Sequence, residues 1–324
     1  PEFNEIPGWF SYEEFYTDVV DKLPNNSNIV EVGAWFGKST NFMANKIKDS
    51  GKNVNFTTVD TFKGSPTEDI HNNTLSVFDN DIYSEFMDSA ILLDNLDTIN
   101  VIKDTSVNAK DSFINNSLDF IMIDAGHTYD DVKSDINAWF HKVKQGGIIS
   151  GDDYIPVFQG VIDAVNEYFY GQISRTNTGW FRKKPKIQIL HLMTRPDDVR
   201  EKLSSTSLKQ LQRLGFDYTP MVNEVYEGEV PSEFCRRPDM ITTSPTYIGE
   251  HGVGTLTKRH YGCFTSHINA LKNIDTDNYD YTLIFEADAF IYSSLRDFAE
   301  IIYKACFISE RDNVPYISFA NNPS

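Results

Sequence analysis

The stretch E-V-G-A-W-F-G-K-S, from Glu31 to Ser39, decides the fold of this chain. It follows a short apolar run, Ile29–Val32, and leads into a segment with helical spacing, Lys38–Lys48. A strand, a Gly-rich turn and a helix in this order form a ligand crevice at the carboxyl ends of the strands of a doubly wound sheet. The stretch therefore predicts an α/β fold with a Rossmann-like sheet.

Apolar runs and amphipathic segments alternate on both sides of this stretch. The predicted strands are 29–32, 56–59, 99–102, 118–123 and 147–150, and the predicted helices are 12–23, 38–48, 82–93, 130–143 and 157–170. Such alternation predicts a parallel sheet with helices on both faces. Two short strand-like pieces, 173–175 and 179–182, predict a hairpin at the sheet edge, and the polar segment Phe62–Asp81 is either a mobile lid or a long loop.

A second alternating series begins at the apolar run Ile187–Met193, directly after the basic residues around Lys184. We therefore predict a first domain over residues 1–184 and a second α/β domain over residues 185–324. A chain of 324 residues with 40% hydrophobic residues is long enough for two domains with separate cores.

Charge and cysteine content narrow the class of protein. The net charge of −18 repels phosphate backbones and anionic membranes, which argues against a nucleic-acid partner and favours cationic metals. The three cysteines are far apart, which fits reduced thiols in the cytoplasm. No segment reads as a secretory signal or as a membrane span.

The glycine turn and the acid after the second strand form the predicted cofactor site. Its spacing, Gly33-x-x-x-Gly37, suits an adenosyl group better than a dinucleotide pyrophosphate, and Asp60 can accept hydrogen bonds from ribose hydroxyls. Alternatively, the glycines only shape a tight turn and Asp60 only caps it. The predicted cofactor residues of this turn and strand are Glu31, Gly33, Ala34, Gly37, Ser39 and Asp60.

Two later motifs carry a family resemblance. They are D-F-I-M-I-D-A-G-H-T-Y-D-D-V, which contains Asp124, and Q-G-G-I-I-S-G-D-D-Y, which contains Asp152 and Asp153. Together with the glycine turn they resemble the class I S-adenosylmethionine (SAM)-dependent methyltransferases, specifically the metal-dependent sugar O-methyltransferases related to macrocin and aminocoumarin enzymes. The resemblance covers most of residues 29–169. It implies that Asp124, Asp152 and Asp153 hold Mg²⁺ and that Asp104 and Ser106 lie near the adenine.

Physical chemistry supports a metal among these acids. Three carboxylates at the ends of adjacent strands repel one another unless a hard, oxygen-preferring cation lies between them. Magnesium at Asp124 would acidify a sugar hydroxyl and orient it toward the methyl group. The alternative is that Asp124 caps the next helix, while Asp152 and Asp153 form a solvated turn.

The resemblance has one departure at the expected general base. Several such methyltransferases carry a second Asp two residues after the first, and Gly126 stands at that position here. The next residue, His127, has a side chain that can accept a proton near neutral pH, so we predict it as the base. A structural hydrogen-bonding role for His127 is the alternative.

The second domain carries other motifs: H-L-M-T-R-P-D-D (191–198), H-Y-G-C-F-T-S-H (260–267) and L-I-F-E-A-D-A-F (283–290). They resemble the lipopolysaccharide-type glycosyltransferases of family 25, which have a nucleotide-sugar-binding GT-A-like fold. The resemblance implies that Glu286 and Asp288 hold Mn²⁺ or Mg²⁺ against the diphosphate of a nucleotide sugar. The chain ends soon after Asp288, so we expect this domain to be incomplete.

The resemblances predict a SAM- and metal-dependent O-methyltransferase that acts on a sugar or glycan acceptor in glycan biosynthesis, fused to a glycosyltransferase-like domain. A cytoplasmic location and a homo-oligomer are further expectations. Two alternatives remain: a glycosyltransferase that keeps the first domain as a scaffold, and a glycan-binding module without catalysis.

Overall fold

The computed structural model describes residues 3–65, 67–79, 81–223, 258–287, 289 and 291–315. The helices in these ranges are α1 (Glu13–Lys22), α2 (Lys38–Ser50), α3 (Asp69–Leu75), α4 (Tyr83–Leu92), α5 (Ser106–Ala109), α6 (Tyr129–Trp139), α7 (Gln159–Phe169), α8 (Val199–Lys209), α9 (Lys258–Lys272) and α10 (Leu295–Asp312). The strands are β1 (Ser27–Val32), β2 (Val54–Asp60), β3 (Ile99–Lys103), β4 (Leu118–Ile123), β5 (Val143–Gly151), β6 (Ser174–Arg175), β7 (Trp180–Lys183), β8 (Ile187–Met193), β9 (Asp217–Val222) and β10 (Tyr281–Phe285).

The first seven strands form one mostly parallel sheet in the order β3-β2-β1-β4-β5-β7-β6, with β7 antiparallel to both β5 and β6. The α/β, Rossmann-like prediction for the first part of the chain is confirmed, and so is the predicted edge hairpin. In register, Val32 lies opposite both Val59 and Ile123, and Ile123 lies opposite Gly151. The residues that follow these strand ends therefore share one edge of the sheet.

The sheet is buried because its strands are apolar along most of their length. Five of the six residues of β1 are buried, as expected for a central parallel strand covered on both faces. Helix α1 adds Tyr16, Val19 and Val20 to the core against α2 and β1. The predicted lead-in helix at residues 12–23 is thus confirmed, with bounds one residue inside the prediction at each end.

The glycine turn requires glycine at two positions. Gly33 has φ +94°, and a Cβ there would lie 1.7 Å from the carbonyl oxygen of Asp124. Gly37 has φ +91° and precedes α2, where a Cβ would meet Phe86. The first glycine therefore allows β1 and β4 to approach closely, and the second allows the chain to enter the helix.

A separate unit contains residues 186–212 and the described residues between 216 and 295. Its three-stranded sheet has the order β10-β8-β9 with parallel pairing, and all seven residues of β8 are buried. The apolar run Ile187–Met193, predicted to begin a second alternating series, is strand β8. Residues 207–214 form the end of α8 and a 3-10 turn. A GT-A-like fold for this unit stays a prediction.

The first unit comprises residues 1–185, residues 213–215 and the described residues from Arg296 onward. In α10 the rings of Tyr303 and Phe307 pack edge-on against Phe140, and Phe307 also packs against Phe169. The predicted boundary at residue 185 assigns this helix to the second domain, 185–324. The apolar face of the helix is instead buried with the first unit. No helix in the described part of the chain is both long and apolar enough to cross a membrane.

Candidate functional site

A cavity of about 730 Å³ opens at the carboxyl edge of the first unit's sheet. The turns after β1, β2, β3, β4 and β5 all contribute to its wall. The predicted site residues that line it are Gly33, Ala34, Ser39, Asp60, Asp104, Ser106, Asp124, His127, Asp152 and Asp153. Two predicted cofactor residues, Glu31 and Gly37, are not part of the wall. Its size falls in the range of pockets for small-molecule ligands.

Asp60 is the centre of the glycine turn. Its Oδ2 accepts hydrogen bonds from the backbone N–H groups of Ala34 (2.7 Å) and Trp35 (2.9 Å), and its Oδ1 accepts one from Phe62 N–H (2.7 Å). A carboxylate offers about four acceptor positions. Asp60 therefore both caps the turn and keeps one acceptor position for a ligand, which suits one ribose hydroxyl rather than two.

The turn after β3 brings Asp104 and Ser106 to the cavity. Thr105 caps the short helix α5, because its side chain accepts a hydrogen bond from Asn108 N–H. Ser106 Oγ accepts a hydrogen bond from the indole N–H of Trp139 at 2.8 Å. Burial raises the pKa of the neighbouring Asp135 to about 6, although a hydrogen bond with Ser106 opposes this. The predicted adenine-side residues thus line the cavity, and their hydroxyl and carboxylate groups are held in place.

Glu31 points away from the cavity into the core. Its carboxylate accepts hydrogen bonds from the hydroxyls of Tyr16 (2.9 Å), Thr40 and Thr58 (3.3 Å). Burial raises the pKa of Glu31 to about 7, the hydroxyl hydrogen bonds oppose the rise, and the charge of Asp124 adds to it. The structure therefore gives Glu31 a role inside the fold and places it outside the cavity wall, and its predicted cofactor contact stays a prediction.

Asp124, His127 and Asp153 come together at the cavity wall. His127 Nε2 lies 2.9 Å from Asp153 Oδ2 and 4.0 Å from Asp124 Oδ1. Burial lowers the pKa of His127, but hydrogen bonds and charge from Asp124 and Asp153 outweigh it and raise the pKa to about 10. In this arrangement the imidazole is protonated at neutral pH, so it accepts a proton only after another cation replaces that charge between the carboxylates.

Glu68, which precedes α3, reaches the other edge of the same imidazole. Its Oε1 lies 2.7 Å from His127 Nδ1, yet both atoms are buried and neither forms an aligned hydrogen bond. The predicted lid or loop at residues 62–81 therefore contains a short helix and supplies a carboxylate to the site. No sequence pattern singles out this residue, because the segment lacks a clear period.

Asp152 has different partners from Asp153. It accepts hydrogen bonds from Thr178 Oγ1 (2.5 Å) and Ser11 Oγ (3.2 Å). Burial raises the pKa of Asp152 to about 6, and the charge of Asp124 adds to the rise. Asp153 instead faces His127 from a left-handed backbone conformation with φ +58°.

These donors fit a divalent cation. Three carboxylates, from Glu68, Asp124 and Asp153, surround one imidazole, and the ligand atoms of Asp124, His127 and Asp153 lie within 4.8 Å of one another. Carboxylates suit Mg²⁺ and Mn²⁺, and an imidazole favours a transition metal. The buried Oε1 of Glu68 and Nδ1 of His127 are polar atoms without an aligned partner, as expected where a local rearrangement accompanies binding. The set Asp124, Asp152 and Asp153 stays a prediction.

The segment before α1 also contributes to the site, which the sequence did not indicate. Tyr12 donates a hydrogen bond to Asp124 Oδ2 at 2.8 Å, and Trp9 lines the cavity with 62% of its side chain exposed. His71 of α3 lies against Trp35, with ring centroids 4.3 Å apart. Aromatic side chains and the acidic cluster thus line the same cavity.

In the second unit the predicted metal ligand Glu286 directly follows β10. Its Oε1 lies 3.7 Å from His267 Nε2, and Cys263 Sγ lies 3.7 Å from His267 Nδ1. The other predicted ligand, Asp288, lies outside the described residues. The acid-x-acid metal element of this unit therefore stays a prediction.

Comparison with known proteins identifies the type of domain around the cavity. Residues 30–154 match the family model Methyltransf_24, described as a methyltransferase domain. No curated protein matches the chain.

Several solved structures resemble about half of the chain. The O-methyltransferase NovP is 22% identical, with 53% of this chain and 78% of that chain covered at a TM-score of 0.41. CalS11, described as a TDP-rhamnose 3'-O-methyltransferase of calicheamicin biosynthesis, is 13% identical over 53% and 76%, at 0.36. SMU.1697c from Streptococcus mutans, solved with SAH, is 10% identical over 54% and 98%, at 0.37. Likenesses this low carry no argument about the substrate.

Proposed function

We propose that the chain is an S-adenosylmethionine- and divalent-metal-dependent O-methyltransferase of a sugar hydroxyl, with the methyltransferase domain matched by residues 30–154 as its catalytic part. One observation carries this proposal. Asp124, His127 and Asp153 converge beside the glycine turn, inside the same cavity. A cofactor held by the turn and a hydroxyl held at the acidic cluster would then meet in a single space.

The residues of the turn support cofactor binding. Asp60 ties the backbone of Ala34 and Trp35 into a fixed loop and keeps one acceptor position for a ribose hydroxyl. Asp104 and Ser106 lie on the next turn of the same edge, where the resemblance expects the adenine. SAM is thereby oriented by groups that are already hydrogen-bonded, which lowers the ordering cost of binding.

The acidic cluster supports activation of the acceptor. Asp124 is held by the Tyr12 hydroxyl, and Asp153 and His127 lie within reach of the same point. A bound divalent cation at this point would lower the pKa of a coordinated hydroxyl and hold it in place. The protein's part is to fix the donors on rigid strand ends, so that a hydroxyl oxygen is aligned with the methyl group.

The aromatic residues that line the cavity support a sugar as the acceptor. Trp9 and Phe158 present aromatic rings to the cavity, and Phe158 also packs against His127 with centroids 4.5 Å apart. An apolar face of a sugar ring packs on such aromatic rings, while the hydroxyls of the sugar reach the acidic cluster. The resemblance of the two Asp motifs to sugar O-methyltransferases agrees with this choice.

The proposal is tested by methyl transfer from labelled SAM to a panel of free, nucleotide-linked and glycan-linked sugars. We expect transfer that is lost after chelation and restored by Mg²⁺ or Mn²⁺, and that is lost in Asp124→Asn. Asp130→Asn is the matched control, because it removes an exposed acid in the first turn of α6 that does not line the cavity. Transfer that is unaffected by chelation would contradict metal dependence, and binding of SAM without any transfer would favour a non-catalytic glycan-binding module.

For the second unit we propose binding of a nucleotide sugar with Mn²⁺ or Mg²⁺ at Glu286 and Asp288. The support is that Glu286 follows a strand of an all-parallel sheet, the edge at which such folds bind ligands. Metal-dependent binding of UDP- or GDP-sugars that is lost in Glu286→Gln would agree with it. Sugar transfer without methyl transfer would instead favour a glycosyltransferase that keeps the first domain as a scaffold.

A further inference from the structure

The imidazole of His127 is contacted by carboxylates at both of its nitrogens. Nε2 faces Asp153 at 2.9 Å and Asp124 at 4.0 Å, and Nδ1 faces Glu68 at 2.7 Å. The side chain of His127 is 17% exposed and that of Glu68 is 21% exposed. The two edges of the ring therefore have different surroundings: a single carboxylate on one side and the acidic cluster on the other.

This arrangement matches the way proteins orient metal-binding histidines. Such a histidine donates one ring N–H to a carboxylate or carbonyl, which leaves the lone pair of the other nitrogen for the metal. With the proton on Nδ1 and Glu68 beside it, the lone pair of Nε2 points into the space that Asp124 and Asp153 share. The present arrangement needs only a rotation to align the Glu68–His127 pair, whose atoms are already at hydrogen-bond distance.

Glu68 itself is held near the cofactor turn. His71, three residues later, accepts a hydrogen bond from Ser65 N–H at its Nδ1 (3.0 Å) and turns its Nε2 toward Glu68 Oε2 at 3.7 Å. The His71 ring lies on Trp35 of the glycine turn at an interplanar angle of 30°. The position of Glu68 is thus fixed by packing against residues that also line the cofactor end of the cavity.

We propose that Glu68 is a positioning residue that holds His127 through Nδ1, so that Nε2 joins Asp124 and Asp153 as a ligand of the divalent cation. The inference rests on the proposed metal-dependent function and refines its ligand set, since His127 becomes a ligand rather than the general base. A site with one nitrogen and two carboxylate donors prefers Mn²⁺ to Mg²⁺ and disfavours Ca²⁺. Asp152, which is held by Ser11 and Thr178, lies outside this ligand set.

The test is a titration of the full chain with Mn²⁺, in which binding is measured from the electron paramagnetic resonance signal of the free ion. We expect Glu68→Gln to weaken Mn²⁺ binding by roughly 10- to 100-fold, the range for partners of metal-binding histidines. Glu68→Asp keeps the charge but shortens the side chain, so it should lose a comparable amount. Asp69→Asn is the matched control, since it removes one charge from the exposed residue that follows Glu68 and begins α3, and it should change affinity by less than about twofold.

A spectroscopic measurement separates ligation from a general structural role. Bound Mn²⁺ should show electron spin-echo modulation from one imidazole nitrogen in the wild type, and this modulation should disappear in His127→Gln. Absence of nitrogen modulation in the wild type would overturn the inference, and so would Mn²⁺ binding that depends on Asp152 but not on Glu68. SAM binding, measured in parallel without metal, should change less than about threefold in Glu68→Gln. Loss of SAM binding by the wild type would instead count against the proposed function.

Discussion

Replacement of Glu31 by Gln should remove a large pH dependence from the stability of the first unit. Glu31 is 1% exposed, and its carboxylate is surrounded by the hydroxyls of Tyr16, Thr40 and Thr58. Burial raises its pKa from the usual 4.5 to about 7. At ~1.4 kcal/mol for each pH unit between the two values, ionisation in the folded state costs roughly 3 kcal/mol.

The sign follows from the direction of this pKa change. Between pH 4.5 and pH 7 the folded protein binds the Glu31 proton and the unfolded chain does not, so the folded state is favoured at the acidic end. The contribution of Glu31 is fully present below pH 4.5 and is lost as the pH rises through 7. Glu31→Gln cannot titrate, and its amide can pair with the same hydroxyls, because each hydroxyl both donates and accepts.

Urea unfolding at pH values from 5 to 8.5 measures the effect. Tryptophan fluorescence reports on the first unit, because all four tryptophans of the chain, Trp9, Trp35, Trp139 and Trp180, lie within residues 1–185. The stability of the wild type relative to Glu31→Gln should fall by roughly 2.5 kcal/mol across this range. The control Glu14→Gln, at an exposed position of α1, should show no such trend. A stability difference that stays constant with pH would show that Glu31 does not titrate between these values in the folded state. SAM affinity should be unchanged, because Glu31 does not line the cavity.

Three further changes test other parts of the account. Gly33→Ala should destabilise the first unit by more than about 3 kcal/mol and abolish SAM binding, because its Cβ would lie 1.7 Å from the carbonyl oxygen of Asp124. The control Gly51→Ala, with open space around it, should lower the free energy of unfolding by about 1 kcal/mol in the same assay. Lys184 is fully buried and burial lowers its pKa to about 7, so wild-type stability should rise between pH 7 and 10.5, by at most roughly 4 kcal/mol, whereas Lys184→Met should lack this rise in thermal melts. Trp9→Ala should raise the KM for the acceptor severalfold without changing the Kd of SAM, and equal effects on both ligands would contradict an acceptor role for Trp9.

The sheet could be predicted because its strands are short apolar runs that end at turn or acidic residues. The register then placed Gly33, Asp60, Asp124 and Asp152 on one edge, as the sequence order had indicated. The position of Glu31 could not be predicted in the same way. A central parallel strand is buried on both faces, so the sequence does not show that its carboxylate points into the core toward Tyr16.

Contacts between distant segments could not be predicted from the sequence, for a different reason. Glu68 lies in a polar segment without periodicity. Its contact with His127, and the packing of the nearby His71 on Trp35, are visible only in the three-dimensional structure. Helix α10 belongs with the first unit because of its apolar face, although it follows the second unit along the chain. Such choices depend on tertiary packing, which local patterns in one sequence do not encode.

The proposed function depends on a divalent cation that binds at the acidic cluster beside a separate SAM site. Calorimetric titration of Mn²⁺ and of SAM into the wild type and into Asp124→Asn/Asp153→Asn is the decisive measurement. We expect one cation per chain in the wild type, loss of that cation in the double variant, and SAM binding in both. Equal cation binding by the two proteins would rule out a metal site at this cluster.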